Sequence, residues 1–531
     1  MTEQNQNALN GEYDVKMTLK YAGQIKDGNL QIGNYFGGGD PEVTNLRFLE
    51  KFDIQTLKIY ISNDMSVQLR SSTLKELIML NLREYDQDEQ QQQRLNMQVD
   101  DLVLENLEVL DLRNINLVND QLYNLAKFKK LHTLDVSWNK VDLTHIHMVT
   151  SLTKLSMVLC GLKNIDLISS LVNLQELNLS GNTSIDLSPL CKIKNLSKLT
   201  MNNCRLKTID QIHTVTSITK LYMSKCELKN IDLISSFVNL EELDLSVNED
   251  LDLSPLYKLK CLTKLSMLKC GLKNIDQIVQ LTNLEVLDIF DNLLLRIDSI
   301  RLLVNLKELN ISSNSKIDIT PIKDLVSLIK LNLRSCALTQ LSALKSLINL
   351  QTLDLSDNPG IIITELQYLK NLTRLHLEYC NLVSVYVLRP LVNLEELNIS
   401  KNNMVYLDAH LNEMKRLETL TLERNRISDF SELEKHPNYN NLDEKGKRCF
   451  DISKQKDPSK EKVRKAKQFR SIESPNIQLK EIQNQHKSLK TTFKNFKQEI
   501  NAAINNARQS QIQFTANVVR LFQFLNQFGF E

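Results

Sequence analysis

Hydrophobic residues along this chain fall into one short pattern, used again and again. Aligned on Leu-x-x-Leu-x-Leu, it starts at Leu152, Leu174, Leu196, Ile218, Leu240, Leu262, Leu284, Leu306, Leu328, Leu350, Leu372 and Leu394, with a step of 22 residues each time. Starts at Leu131 and Leu417 fit with spacings of 21 and 23, while Leu107, Leu74 and Ile54 are looser and are interrupted by the Gln-rich stretch 86–93. Self-similarity at a fixed short period marks a repeat architecture. In the unit that opens at Leu262, alternation predicts a short strand with Leu265 and Met267 pointing inward. Leu272, Ile275, Ile278 and Leu281 then recur every third residue, the spacing of a 3₁₀ or helical turn on the return path. Neither half can bury its apolar face alone. Stacked neighbours can, at roughly 1.5–3 kcal/mol per fully buried aliphatic side chain. The expected fold is an α/β repeat, a right-handed solenoid with a parallel β-sheet on its concave side.

Counting the first Leu of each unit as position 1, position 9 reads Asn139, Cys160, Asn182, Cys204, Cys226, Asn248, Cys270, Asn292, Asn314, Cys336, Asn358, Cys380, Asn402 and Asn425. An inward amide here satisfies backbone groups along the stack, and Cys is a smaller, weaker donor that tolerates burial. This accounts for six of the nine Cys without a metal or a redox role. The two residue types mostly alternate, which points to a duplication unit of 44 residues.

These residues resemble the leucine-rich repeat superfamily in its 22-residue class, which includes the SDS22-like phosphatase regulators and the bacterial internalins. The resemblance covers roughly residues 54–443. His436-Pro437-Asn438-Tyr439-Asn440-Asn441-Leu442-Asp443 is similar to the Leu-Pro-x-Leu-x-x-Leu-Asp cap that closes SDS22-like solenoids, with Pro437, Leu442 and Asp443 matching and the usual preceding Tyr-Arg missing. What the resemblance implies is a protist-type intracellular interaction protein, with a phosphatase catalytic subunit as one specific partner.

Composition narrows the class further. The whole chain carries 65 Lys and Arg against 64 Asp and Glu, with only 13 Gly and 9 Pro, which excludes collagen-like and linker-like chains. Charge is unevenly placed: residues 445–531 hold 18 basic against 7 acidic side chains, and the remainder 47 against 57. The expected organisation is an N-terminal cap region (1–53), the repeat solenoid with its cap (54–443), a basic disordered linker (444–475) and an amphipathic helix or weak coiled coil (476–531). Within the linker, 454–470 is rich in Lys and Arg and offers contact with anionic lipid or nucleic acid. In the final segment, Leu489, Phe493, Phe496, Ile500, Phe514, Leu521, Phe524 and Phe528 lie on a 4,3 seam suited to self-association. The N-terminus lacks a signal-peptide pattern and no run of 18 apolar residues occurs, so the expected location is cytoplasmic.

No catalytic constellation emerges. Gly37-Gly38-Gly39-Asp40 lacks the Lys-Ser/Thr ending of a phosphate loop, and His145-Ile146-His147 lacks the Glu and the i,i+4 spacing of a zinc protease. The expectation is a non-enzyme with no cofactor and no metal. What remains is a surface: positions 2, 3, 5, 7 and 8 face the concave side, and about thirteen strands some 4.8 Å apart give a face of roughly 60 Å. Position 3 mixes the two signs, as in Lys154, Glu176, Lys198, Lys220, Glu242 and Lys264, so opposite charges on neighbouring strands can pair across the ladder. Anchors for a partner are then the rarer large side chains: Trp138, Val158, Leu159, Tyr222, Leu268, Phe290 and Tyr379, with Arg334, Arg374 and His376 as polar contributors. The expected function is a protein-interaction scaffold. The alternatives are a structural or cytoskeletal protein oligomerised by its coiled coil, and an adaptor whose basic tail docks on membrane or RNA.

Overall fold

The computed structural model describes residues 29–32, 52–61, 69–81, 99–427 and 436–437. The chain divides into two units, Met1–Ser453 and Lys454–Glu531. The basic linker, the amphipathic tail and most of the N-terminal cap region lie outside the described residues, as do Leu442 and Asp443 of the cap motif.

The expected parallel sheet is present, with 18 strands in one ladder among the described residues. Its strands are short, three residues in each regular unit, and they pair in a register of 22: Lys198 lies opposite Lys220, Glu242 opposite Lys264, and Glu308 opposite Lys330. The irregular spacings also hold, Thr133 pairing with Lys154 and Glu396 with Thr419. At the N-terminal end the ladder continues through Glu76–Asn81 and Thr56–Ile61 to a strand at Asn29–Ile32, inside the segment expected as the cap. A separate pair, Leu69–Ser71 with Leu102–Leu104, stands beside it. The return segments are 3₁₀ turns such as Asp276–Ile278 and Asp298–Leu302.

One continuous aliphatic core runs through every unit. In the unit of Leu262, the side chains of Leu262, Leu265, Met267, Leu272, Ile275, Ile278 and Leu281 are all buried. Each unit, called a rung below, therefore contributes a full apolar layer that only its two neighbours can cover.

The position 9 side chains form the expected buried ladder, and the two residue types bond differently. Asn248 accepts from the N–H groups of Cys226 (3.0 Å) and Leu228 (3.1 Å) in the preceding rung and donates to the carbonyls of Met223 (2.9 Å) and Leu245 (2.8 Å). Asn358 does the same with Cys336, Leu338, Leu333 and Leu355. A cysteine reproduces only the donating half. Cys226 Sγ donates to Met201 O (2.9 Å) and Cys380 Sγ to Leu355 O (3.2 Å). Burial pushes the Cys160 and Cys380 thiols up to about 11 and the Cys226 thiol up to about 12. At neutral pH they are protonated donors rather than nucleophiles.

A second asparagine ladder, absent from the expectations, runs along the opposite edge at position 22. Asn283 donates to Lys260 O (2.8 Å), Asn305 to Thr282 O (2.9 Å), Asn349 to Val326 O (3.0 Å) and Asn371 to Ile348 O (2.9 Å).

Candidate interaction face

The outward positions of the strands share one structural demand. After position 6 the chain must leave the strand, and it does so through a left-handed residue at position 8. Trp138, Leu159, Lys225, Val247, Lys269 and Tyr379 all have φ between +52° and +63°, although none is Gly or Asn. The cost, roughly 1–2 kcal/mol each, is offset because the N–H of position 8 bonds the next rung. Trp138 N donates to Val158 O (2.7 Å) and Val247 N to Leu268 O (2.7 Å). Gly181 takes the same conformation with φ +75°, and a Cβ there would meet the Leu159 side chain at 2.5 Å. Leu159 thus leans over Gly181, which spends part of its apolar surface inside the fold.

The N–H of position 7 also needs an acceptor, and there are two ways to provide one. Where position 5 is Asp or Asn, its own carboxylate or amide oxygen accepts: Asp135 from Ser137 N (2.9 Å), Asp244 from Ser246 N (2.9 Å), Asp288 from Phe290 N (3.1 Å), Asn332 from Arg334 N (3.0 Å) and Asp354 from Ser356 N (2.9 Å). Where position 5 is another residue, a position 7 side chain of the preceding rung accepts instead. Val158 N donates to Ser137 Oγ (3.0 Å), Asn202 N to Ser180 Oγ (3.1 Å), Ser224 N to Asn202 Oδ1 (2.9 Å), Leu268 N to Ser246 Oγ (3.1 Å) and Glu378 N to Ser356 Oγ (3.2 Å).

Charges at position 3 pair across the ladder as expected. Glu176 lies between Lys154 (2.8 Å) and Lys198 (3.7 Å), Glu242 between Lys220 (2.9 Å) and Lys264 (3.3 Å), and Lys330 meets Glu308 (2.7 Å). Glu242 is the most constrained. Burial works to raise its pKa, but the Tyr222 hydroxyl (2.6 Å) and the two ammonium groups outweigh it and hold the carboxyl at about 2. Burial acts unopposed by a close cation on Asp288, whose pKa is raised.

The ten anchor candidates divide on this geometry. Trp138 is 43% exposed and Tyr379 54%, both on the left-handed turn. Val158, Leu268 and Phe290 are half-buried on the strand face; Leu268 and Phe290 are position 7 side chains of adjacent rungs, and the Lys269 ammonium stands 6.0 Å from the Phe290 ring centre. Of the other five, Leu159 leans over Gly181, and four already have internal partners: Tyr222 with Glu242, Arg334 with Asp357 (2.6 Å), and Arg374 (3.5 Å) and His376 (3.0 Å) with Glu396. Sequence reasoning missed Arg113, which holds Asp111 (2.7 Å), and Glu378, which holds Lys401 (2.6 Å), both at position 7.

Residues 392–435 match a family model described as leucine rich repeats in two copies. No curated protein matches the chain significantly. Among solved structures, a leucine-rich-repeat protein of Leptospira interrogans is 28% identical, covering 63% of this chain and 88% of its own length with a TM-score of 0.54. The functional domain of the internalin InlJ of Listeria monocytogenes, described as including a cysteine ladder, is 22% identical over 63% and 72% of the two chains, with a TM-score of 0.45. Internalin InlF of the same species is 23% identical over 57% and 82%, with a TM-score of 0.43. Repeat register, buried ladder, the family-model match and the likeness to the Leptospira protein agree that the described part of this chain has the leucine-rich-repeat fold.

Proposed function

We propose that the protein is a non-enzymatic, cytoplasmic scaffold that binds a partner protein on its strand face. Leucine-rich-repeat proteins generally mediate protein–protein interaction, and one observation supports that reading here: Leu268 and Phe290 stand side by side, half-exposed, on adjacent rungs of a face that also carries the ion pairs Lys264–Glu242 and Lys330–Glu308. Apolar side chains ringed by such pairs have the composition of an interface centre, while exposed pairs contribute only about 0–1 kcal/mol each and leave the centre to dominate. The SDS22-like resemblance makes a phosphatase catalytic subunit the first partner to try. Affinity purification of the full chain beside a Trp138→Glu, Leu268→Glu, Phe290→Glu variant tests the reading. A partner recovered by the first and lost by the second, with circular dichroism unchanged, supports it; identical recovery from both overturns it.

A further inference from the structure

Five rungs carry a carboxylate at position 5: Asp111, Asp135, Asp244, Asp288 and Asp354. For the first two the chain supplies its own cation. Arg113, at position 7 of the Asp111 rung, donates to both Asp111 oxygens (3.0 and 2.7 Å) and stands 3.5 Å from Asp135 on the next rung. One guanidinium thus serves two position 5 carboxylates from the position 7 side. Around Asp244 and Asp288 the position 7 side chains are Ser246, Leu268 and Phe290, and none of them is a cation.

On the rungs that start at Leu240, Leu262 and Leu284, positions 3, 5, 7 and 8 hold four acids, Glu242, Asp244, Asp288 and Asp291, and two lysines. Both lysines are engaged. Lys264 meets Glu242 (3.3 Å), which Lys220 of the rung before also holds (2.9 Å), and Lys269 meets Asp291 (3.3 Å). Asp244 and Asp288 are left over, and among the described residues neither forms an ion pair; Lys225, on the turn at position 8, pairs with neither. Asp288 is the more isolated. Val286 and Phe290 share its strand face, Ser266 and Leu268 stand on the rung before, and Asn310 on the rung after. Glu308, also on the rung after, is bound to Lys330 (2.7 Å). Burial and the charge of Asp244 both raise the Asp288 pKa.

We propose that the partner segment seated on Leu268 and Phe290 brings an arginine, whose guanidinium enters from the position 7 side, as Arg113 does, and bonds Asp288 and Asp244 across Ser266. This rests on the scaffold reading above. A partner that covers Leu268 and Phe290 also covers Asp288, and burying that carboxylate without a cation is costly. Arginine fits better than lysine, because a planar guanidinium has donors on two edges for two carboxylates and stacks on an aromatic ring such as Phe290. Entry from the position 7 side also keeps it away from Lys264, at position 3.

The test uses the full chain with labelled Leu and Val methyl groups and, as probe, the dipeptide N-acetyl-phenylalanyl-arginine amide. NMR titration should shift the methyl signals of Leu268 and Val286 saturably. The citrulline dipeptide, equal in shape but uncharged, should bind about ten-fold more weakly, and so should the arginine dipeptide to an Asp244→Asn, Asp288→Asn variant. Asparagine keeps the position 7 N–H satisfied, as Asn310 and Asn332 already do for Ser312 N (3.2 Å) and Arg334 N (3.0 Å), so this variant retains the fold. Equal affinity for the two dipeptides, unchanged affinity in the asparagine variant, or no shift at Leu268 and Val286 overturns the proposal and leaves the scaffold reading standing. In the affinity purification above, the asparagine variant should lose the partner that the triple glutamate variant loses. A partner lost only from the glutamate variant overturns the arginine while supporting the face. A partner lost from neither overturns the scaffold reading, and the proposal with it.

Discussion

Asparagine rungs and cysteine rungs share one sheet and one register, yet they divide the labour of the fold. Asn248 ties two donors of the preceding rung and three carbonyls into one buried amide, whereas Cys226 Sγ serves only as a donor, to Met201 O (2.9 Å) and Ser224 O (3.6 Å). Before four of the six cysteine rungs an asparagine rung also lends a serine acceptor, as Ser246 does for Leu268 N. Cysteine rungs are therefore held largely by their neighbours. The lesson is that positions able to vary are those whose backbone needs are met from elsewhere.

Removing the position 9 groups should separate the two kinds most widely. Asn248→Ala removes the amide partner of Cys226 N, Leu228 N and Met223 O, while Leu245 O keeps Cys270 Sγ; it is expected to cost about 3 kcal/mol, against about 1 kcal/mol for Cys226→Ala. Urea unfolding of both variants measures the difference, and equal losses would end the distinction. A smaller contrast lies on the face itself. Ser246→Ala leaves Leu268 N without its acceptor and should cost roughly 1–2 kcal/mol, while Ser224→Ala should stay within about 0.5 kcal/mol, because Asp244 of the next rung already accepts from Ser246 N. Smaller still, and opposite in sign, is Val247→Asn. A β-branched residue at φ +57° is badly suited to the left-handed region, so this change should stabilise by about 1 kcal/mol, read as a raised unfolding midpoint.

The last prediction concerns protons. Because Glu242 is held at about 2, below its ordinary range, the stability from its contacts is fully present above that range and is lost as pH falls toward 2. Tyr222→Phe removes one of the groups that hold the carboxyl down. The Glu242 midpoint, followed by carbon-detected NMR titration, should rise, and the acid-unfolding limb should move to higher pH with it. An unmoved midpoint would mean that the lysines alone set it.

Much of this was legible in the chain. The period of 22 and the inward Leu265 and Met267 were readable because burial repeats with the sequence, and the Asn and Cys of position 9 stood out as the one polar column in an apolar pattern. Position 8 was opaque. Trp138, Lys225 and Val247 carry no turn signal, and their left-handed backbone is imposed by the bond to the next rung rather than by local preference. The duty of Ser246 was equally hidden, since it depends on what stands 20 residues further on, at Ser266. Of the anchor candidates, the apolar ones could be found by rarity. The internal engagements of Arg334, Arg374 and His376 follow from side-chain reach across the sheet, which composition does not reveal.

The direction of the asparagine clamp has a consequence for a growing chain. Cys226 N and Leu228 N wait for Asn248, which the ribosome adds some twenty residues later, so a nascent array that ends on a cysteine rung ends on an unfinished turn. An asparagine rung thus closes the rung before it, whether that rung carries cysteine or, as where Asn314 accepts from Leu294 N, asparagine. Stop codons placed just after an asparagine rung that precedes a cysteine rung, such as that of Asn248, should leave soluble fragments. Those placed just after a cysteine rung should leave substrates for the cell's proteases.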